Sequence, residues 1–327
     1  MNAIMRTLYP AVVCVATPVM ISGHVSAQEY PNKLIRVIVP AAPGGGADII
    51  ARLFAQPLTR SLGQSVVAEN RPGASNIIGT ELVAKAPADG YTLLLGTTGS
   101  LANNPLLYVK LPYDSIRDFA PISNVANSAF VLVVHPSMPV KTVPALVALA
   151  RAKPGELAYA SWGKGSSTHL ATMLLSVRAH LSMVHVPYKG SGHAMPDMIA
   201  GNVQMAFDSL LSSVPYVKAG RLRALGVSAL KPSQVLPGVP TIAAAGFDGF
   251  EAGSWYGFLA PARTPPQVIT RLHGELMKAI KQPEVLDRMA SLGTDPIGNL
   301  PAEFADQIKS DLAKWEKVVK AAGIQPE

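Results

Sequence analysis

Residues 34–54 read LIRVIVPAAPGGGADIIARLF, and the fold turns on how this stretch is read. Ile35 to Val39 is an apolar, β-branched run that stops at Pro40. Pro43, Gly44, Gly45 and Gly46 follow, then Ala47, Asp48 and the apolar residues Ile49, Ile50, Leu53 and Phe54 at helical spacing. A β-branched run bounded by a proline is a strand signal, and the 3–4 spacing is a helix signal. The order is strand, glycine turn, helix. Such a turn leaves the first N–H groups of the helix unpaired, where the helix dipole favours an anion. The plainer reading is a tight turn in which Asp48 caps its own helix.

The spacing argues against a nucleotide as that anion. A dinucleotide fingerprint needs glycine or alanine three residues after Gly46, and Ile49 stands there. Gly163-Lys164-Gly165 lacks the spacing and the hydroxyl residue of a phosphate-binding P-loop. No cofactor is expected.

Outward from this stretch, strand and helix signals alternate, as in an α/β fold. Strand-like runs fall at Leu34–Val39, Ser65–Glu69, Tyr91–Leu95, Phe130–Val134, Leu157–Ala160, Met183–Val186, Val203–Phe207 and Leu222–Val227. Helix-like runs fall at Asp48–Ser61, Asn76–Lys85, Val143–Ala152, Ser166–Ala179, Ala194–Ala200, Pro266–Ile280 and Pro301–Lys320. In the last of these, Phe304, Ile308, Leu312, Trp315 and Val319 share one face, which reads as core packing.

The opening motif has echoes. Strand, glycine turn and helix recur in YASWGKGSSTHL, residues 159–170, and more briefly in YKGSGHA, residues 188–194. Two such units suggest two lobes with a cleft between them, because ligands of α/β sheets bind beyond the carboxyl ends of the strands. Ser166, Ser167 and Thr168 stand at a helix start, where one hydroxyl caps the helix and the others are free to donate. In LGTTGSLANNP, residues 95–105, Thr97, Thr98 and Ser100 follow a strand as further donors.

Catalytic motifs are weak. There is no G-x-S-x-G elbow and no H-E-x-x-H zinc motif. His169 lies too close in sequence to Ser166 and Ser167 for a nucleophile–base pair. Asp208, in QMAFDSL, ends a strand, where it either faces the cleft or caps the next segment. Two alternatives stand beside a binding protein that serves transport: a secreted hydrolase or isomerase using Asp208 or His169, and a ligand sensor feeding a signalling partner.

Composition bounds these readings. A chain of 327 residues is long enough for about two domains. Its 49% hydrophobic and 15% charged residues fit a large core and exclude a disordered chain. The N-terminus has one charge, Arg6, before an apolar run and ends in Val25-Ser26-Ala27, so residues 1–27 read as a secretory signal cleaved near Ala27. Cys14, the only cysteine, lies in that segment, so the mature chain has no disulfide or thiol chemistry. Without Arg6 the 28 basic residues become 27 against 21 acidic, a net +6, scattered without a run of four. That is no nucleic-acid footprint.

Several long segments in order carry a resemblance to a known family. They include YPNKLIRVIVPAAPGGGADIIARL, VVAENRPGASNIIGTELVAKAPADGYTLLLGT, YASWGKGSSTHLA, VHVPYKGSGHAMPDMIAGNVQMAFD and WYGFLAPARTP. Over nearly the whole mature chain the sequence resembles the Bug family, periplasmic receptors of tripartite tricarboxylate transporters. The resemblance implies a two-lobed α/β periplasmic binding protein, type II-like, that closes on a small carboxylate and hands it to membrane transporter subunits. It implies no catalysis and a monomer. It places lobe 1 in residues 28–126 and 252–327, and lobe 2 in residues 127–251. Pro43 to Asp48 would hold carboxylate oxygens through backbone N–H groups and ordered water. Thr97–Ser100 and Gly163–His169 would face that loop, with Asp208 at the far wall. Side chains including Trp162 and Tyr256 would read the rest of the ligand. Where the family often has an aromatic residue this chain has Ala41, and where it often has a small one this chain has Trp162. Trp162 is therefore expected either as an apolar wall or packed outside the cleft. Ala47 stands where Thr or Ser is frequent, which removes one side-chain donor.

Overall fold

A computed structural model describes residues 30–321 and 324–326. The expected signal, with Cys14 and the cleavage site near Ala27, lies outside the described residues.

The strands are β1 Ile35–Val39, β2 Val66–Asn70, β3 Thr92–Thr97, β4 Phe119–Val134 and β5 Ala158–Ser161. Then come β6 Val184–Pro187, β7 Met205–Ser209, β8 Arg223–Val227, β9 Gly253–Pro261 and β10 Asp295–Pro296. The helices are α1 Gly46–Leu62, α2 Ile77–Ala84, α3 Asn104–Leu107, α4 Val143–Ala152 and α5 Ser167–Ala179. They continue with α6 Ser191–Ala200, α7 Leu210–Lys218, α8 Pro266–Ile280, α9 Pro283–Ser291 and α10 Pro301–Ala321.

The strand order β2-β1-β3-β9-β4-β7-β5-β6 joins two halves through one long strand. Phe119 to Ala129 of β4 pairs antiparallel with β9, and Phe130 to Val134 pairs antiparallel with β7. In the first half β1 runs parallel to β2 and β3. In the second, β5 runs parallel to β6 and β7. The described residues from Pro31 onward cohere as one compact unit because β4 belongs to both halves.

The strand period divides the second core. Phe130, Leu132 and Val134 pack on one face of β4 with Leu146 of α4 and Leu175 of α5. Val131 and Val133 pack on the other with Met198 of α6 and Val214 of α7. The stripe on α10 is core, as its spacing requires: Phe304 and Ile308 bury against Trp255 and Leu259, and Trp315 and Val319 against Leu107 and Leu170.

Four differences from the sequence reading matter. β4 is 16 residues, not the last five alone, and β9 escapes the pattern altogether. The stretch FAPISNVANSA holds Pro121 and polar residues whose partners are remote: Asn124 N–H donates to Asn299 Oδ1 at 2.8 Å and its Nδ2 to Gln307 Oε1 at 3.1 Å. Helix α6 begins at Ser191, three residues before the apolar pattern starts. Helix α7, with Pro215 inside it, is absent from the helix-like runs. Among the described residues no helix is long and apolar enough to cross a membrane.

Candidate functional site

Strand registers bring the pieces of one cleft together. Thr97 at the end of β3 lies opposite Tyr256 of β9, and Phe130 of β4 lies opposite Ser209 at the end of β7. Above these positions the N-termini of α1, α5, α6 and α7 converge on a cavity of about 60 Å³. That is room for roughly four to six water molecules, or a small organic acid in their place. The first half supplies Ala41, Gly45, Gly46, Ala47, Asn76, Thr97 and Gly99. The second supplies Phe130, Trp162, Ser166, Ser167, Thr168, Gly190, Ser191 and Ser209, and β9 adds Ser254 and Tyr256. None of these lining residues carries a formal charge.

The opening turn is built to keep α1 bare. Gly44 sits at φ +79°, where a side chain is strained. Its N–H donates to Asp48 Oδ2 at 2.9 Å, and Asp48 Oδ1 accepts from Arg52 Nε at 2.9 Å. Asp48 thus closes the turn from inside the helix and does not serve as N-cap. The N-cap is Gly45, which has no side chain to offer. The N–H groups of Gly46 and Ala47 in the first turn have no partner four residues back, so they stand ready for a ligand. Gly46 is required by space: a Cβ there would overlap Tyr256 Oη and lie 2.9 Å from Tyr256 Cζ. Tyr256 Oη donates to Ser209 Oγ at 3.3 Å, and burial pushes its phenol pKa up.

The second turn is tied down instead. Ser166 is the N-cap of α5, accepting from His169 N–H at 3.2 Å. Thr168 Oγ1 accepts from Trp162 N–H at 3.2 Å. Gly165 N–H donates to His169 Nδ1 at 3.0 Å, which leaves the proton of a neutral ring on Nε2. The His169 ring stacks on His185 with centroids 4.3 Å apart. Burial, then the neighbouring His185 and Lys164, drive the His169 pKa down to about 3. Ser167 Oγ accepts from Asn103 Nδ2 at 3.1 Å and keeps its own proton for the cleft.

Asp208 lies under the cleft floor with no exposure. Its Oδ2 accepts from the hydroxyls of Ser191 at 2.9 Å, Ser212 at 2.7 Å and Ser213 at 2.7 Å, and Oδ1 from Ser209 N–H at 2.8 Å. Burial pushes its carboxyl pKa upward, and these four donors oppose the shift.

Of the residues singled out in the sequence, Gly45, Gly46, Ala47, Thr97, Trp162, Ser166, Ser167, Thr168 and Tyr256 line this cleft. Pro43, Gly44, Asp48, Thr98, Ser100, Gly165, His169 and Asp208 are not part of its lining. Ser100 Oγ is engaged with the Thr97 backbone, and Thr98 Oγ1 accepts from Trp255 N–H at 3.2 Å. Trp162 is half-buried and also packs against the second-half core. Sequence reasoning missed Ser191, Ser209, Asn76, Phe130 and Ser254. The third, shorter echo of the motif, Gly190-Ser191, was the signal for the first of them.

A two-halved α/β fold with an uncharged, N–H-rich cleft is that of a solute-binding protein. Solved structures agree: "Structure of a periplasmic transporter" superposes with TM-score 0.88 at 41% identity, covering 90% of this chain and 99% of that one. An R. palustris protein with adipate gives TM-score 0.89 at 37% identity, covering 91% and 100%. MatC from Rhodopseudomonas palustris with bound malate gives 0.85 at 30%, covering 89% and 100%. The sequence profile of the tripartite tricarboxylate transporter family receptor, TctC, matches residues 50–324. The chain belongs to this family of periplasmic receptors. Its relatives include a protein from the tcbD-tcbE intergenic region of a Pseudomonas species, 43% identical over 89% of this chain and 86% of that one. Protein BugT of Bordetella pertussis is 37% identical over 93% of both.

Proposed function

We propose that this receptor captures a small organic carboxylate in the periplasm and delivers it to the membrane subunits of its transporter. The observation that supports this most is the convergence of four helix N-termini on a cleft with no charged lining residue. Unpaired N–H groups at positive dipole ends, with low-dielectric walls, favour a carboxylate without a fixed counter-charge. The acids bound by two neighbours, adipate and malate, belong to that class. Gly46 and Ala47 N–H and the Ser167 hydroxyl take the carboxylate. Trp162 and Phe130 form the apolar wall that reads the rest of the ligand.

In this reading residues 28–126 and 252–327 form one lobe and residues 127–251 the other, joined by β4 and β9. Closure of the lobes around ligand shapes the surface that the transporter recognises. The mature chain begins after a signal cleaved near Ala27 and works as a monomer. Catalysis has little support: the Asp208 carboxylate is fully engaged by four donors, and His169 holds Gly165 through Nδ1.

Thermal melting of the mature, ligand-stripped protein against mono-, di- and tricarboxylates tests the proposal. An acid at 100 times its dissociation constant should add about 2.7 kcal/mol, a rise of several degrees. The acid should be recovered unchanged after incubation. No shift with any acid would contradict the carboxylate reading, and turnover would contradict the receptor reading.

A further inference from the structure

The hydrogen bonds behind the cleft fix which way one of its hydroxyls points. A serine hydroxyl has one proton and two lone pairs, and an ionised carboxylate only accepts. Ser191, 2% exposed and part of the cleft wall, gives its proton to Asp208 Oδ2 at 2.9 Å. Two further hydroxyls and one N–H point at the same carboxylate, so Asp208 is the acceptor throughout. Ser191 Oγ is left with lone pairs alone on its cleft side. Ser209 Oγ differs: it already accepts from Leu211 N–H at 3.2 Å and Tyr256 Oη at 3.3 Å, and meets Ser128 Oγ at 3.2 Å. Ser167 is the opposite case, an oxygen occupied by Asn103 Nδ2 with its proton available.

We propose that Asp208 and Ser191 make this wall of the cleft a hydrogen-bond acceptor, selecting acids that bear a hydroxyl or amino group on the carbon next to the carboxylate. The inference rests on the carboxylate reading above. Ser191 stands beside the opening turn: its Cβ lies 3.7 Å from where a Cβ on Gly45 would stand, one residue before the N–H groups proposed above to take the carboxylate, and on this placement it meets a substituent on the carbon next to that carboxylate. Asp208 acts only through Ser191 and is a positioning residue.

Calorimetric titration of the mature protein with matched acids tests this. The sets are propionate, lactate and alanine; succinate, malate and aspartate; glutarate, 2-hydroxyglutarate and glutamate. In each set that binds, the hydroxy or amino member should be tighter than its unsubstituted partner by about tenfold or more, since an acceptor left unpaired in a closed site is costly. The preferred member of the set tells hydroxyl from amine. In Ser191→Ala the ratio should collapse to within about twofold, whatever happens to the absolute affinities, because the substituent has lost its partner. A loss of folding alone would lower all affinities and leave the ratio. Equal affinities within every bound set, or a ratio that survives Ser191→Ala, would overturn the proposal and leave the carboxylate reading standing. No binding by any acid would overturn both.

Discussion

The two glycine turns share a sequence pattern and solve opposite problems. In Pro43–Asp48 the helix N-cap is a glycine and α1 is left without a side-chain cap. In Trp162–His169 the N-cap is Ser166, and Thr168 and His169 bind the loop's own N–H groups. A capped helix end is more stable, and an uncapped one keeps donors for a ligand. On the proposed function, the first turn is the anion-binding side and the second the rigid side, despite the larger number of hydroxyls in the second. Counting polar residues in a loop misleads; what matters is which of their atoms the fold has already engaged.

The largest test of this contrast is Gly46→Ala. Its Cβ would press into the buried Tyr256 ring. We expect a loss of about 1–3 kcal/mol in stability, as for overpacked cores, together with loss of acid binding. Denaturant unfolding and calorimetry read the two effects. An unchanged stability would mean that the approach of α1 to β9 is looser than described.

The second turn should show itself in pH. Its His169 has a pKa of about 3 in the folded chain against an ordinary 6.5, so the unfolded chain takes the proton first. The stability is fully present above pH 6.5 and is lost as pH falls from there toward 3. The slope is up to about 1.4 kcal/mol per pH unit for one such group. Melting temperatures of wild type and His169→Gln across pH 7 to 4 should diverge in slope, with the wild type steeper. Parallel curves would remove His169 as the source.

The smallest effects come from exchanging the caps. Ser166→Ala should cost about 1 kcal/mol by removing the acceptor of His169 N–H. Gly45→Ser should do the reverse in the first turn. Space for its Cβ exists, with Ala42 O at 3.6 Å and Ser191 Cβ at 3.7 Å. A capping hydroxyl there would add a few tenths of a kcal/mol and weaken acid binding by occupying a donor. A gain in affinity with Gly45→Ser would reverse the assignment of roles.

Much of this was legible in sequence where physics is local. The β1–turn–α1 unit and the α10 stripe follow from spacing alone. Strand β9 escaped the spacing pattern, because Gly253 and Gly257 interrupt its apolar residues. In the fold, a Cβ on Gly257 would fall within overlap distance of the Phe304 ring, so the glycine marks close packing and not a turn. The first part of β4 was hidden for a related reason: its polar side chains satisfy remote partners such as Asn299 and Gln307, which no period reports. In the site, the glycine turns pointed to loops that line the cleft, but not to the state of each donor. Asp208 was read as a wall residue and lies beneath it, behind Ser191. That depends on α6 and α7 meeting at the end of β7, a tertiary fact.

The most direct measurement is an NMR titration of backbone amides with the acid that gives the largest thermal shift. We expect the Gly46 and Ala47 amide protons to move downfield as the carboxylate accepts from them, while Gly165, already bonded to His169, moves little. Large shifts at Gly165 with Gly46 and Ala47 unmoved would contradict the assignment of the first turn as the anion site.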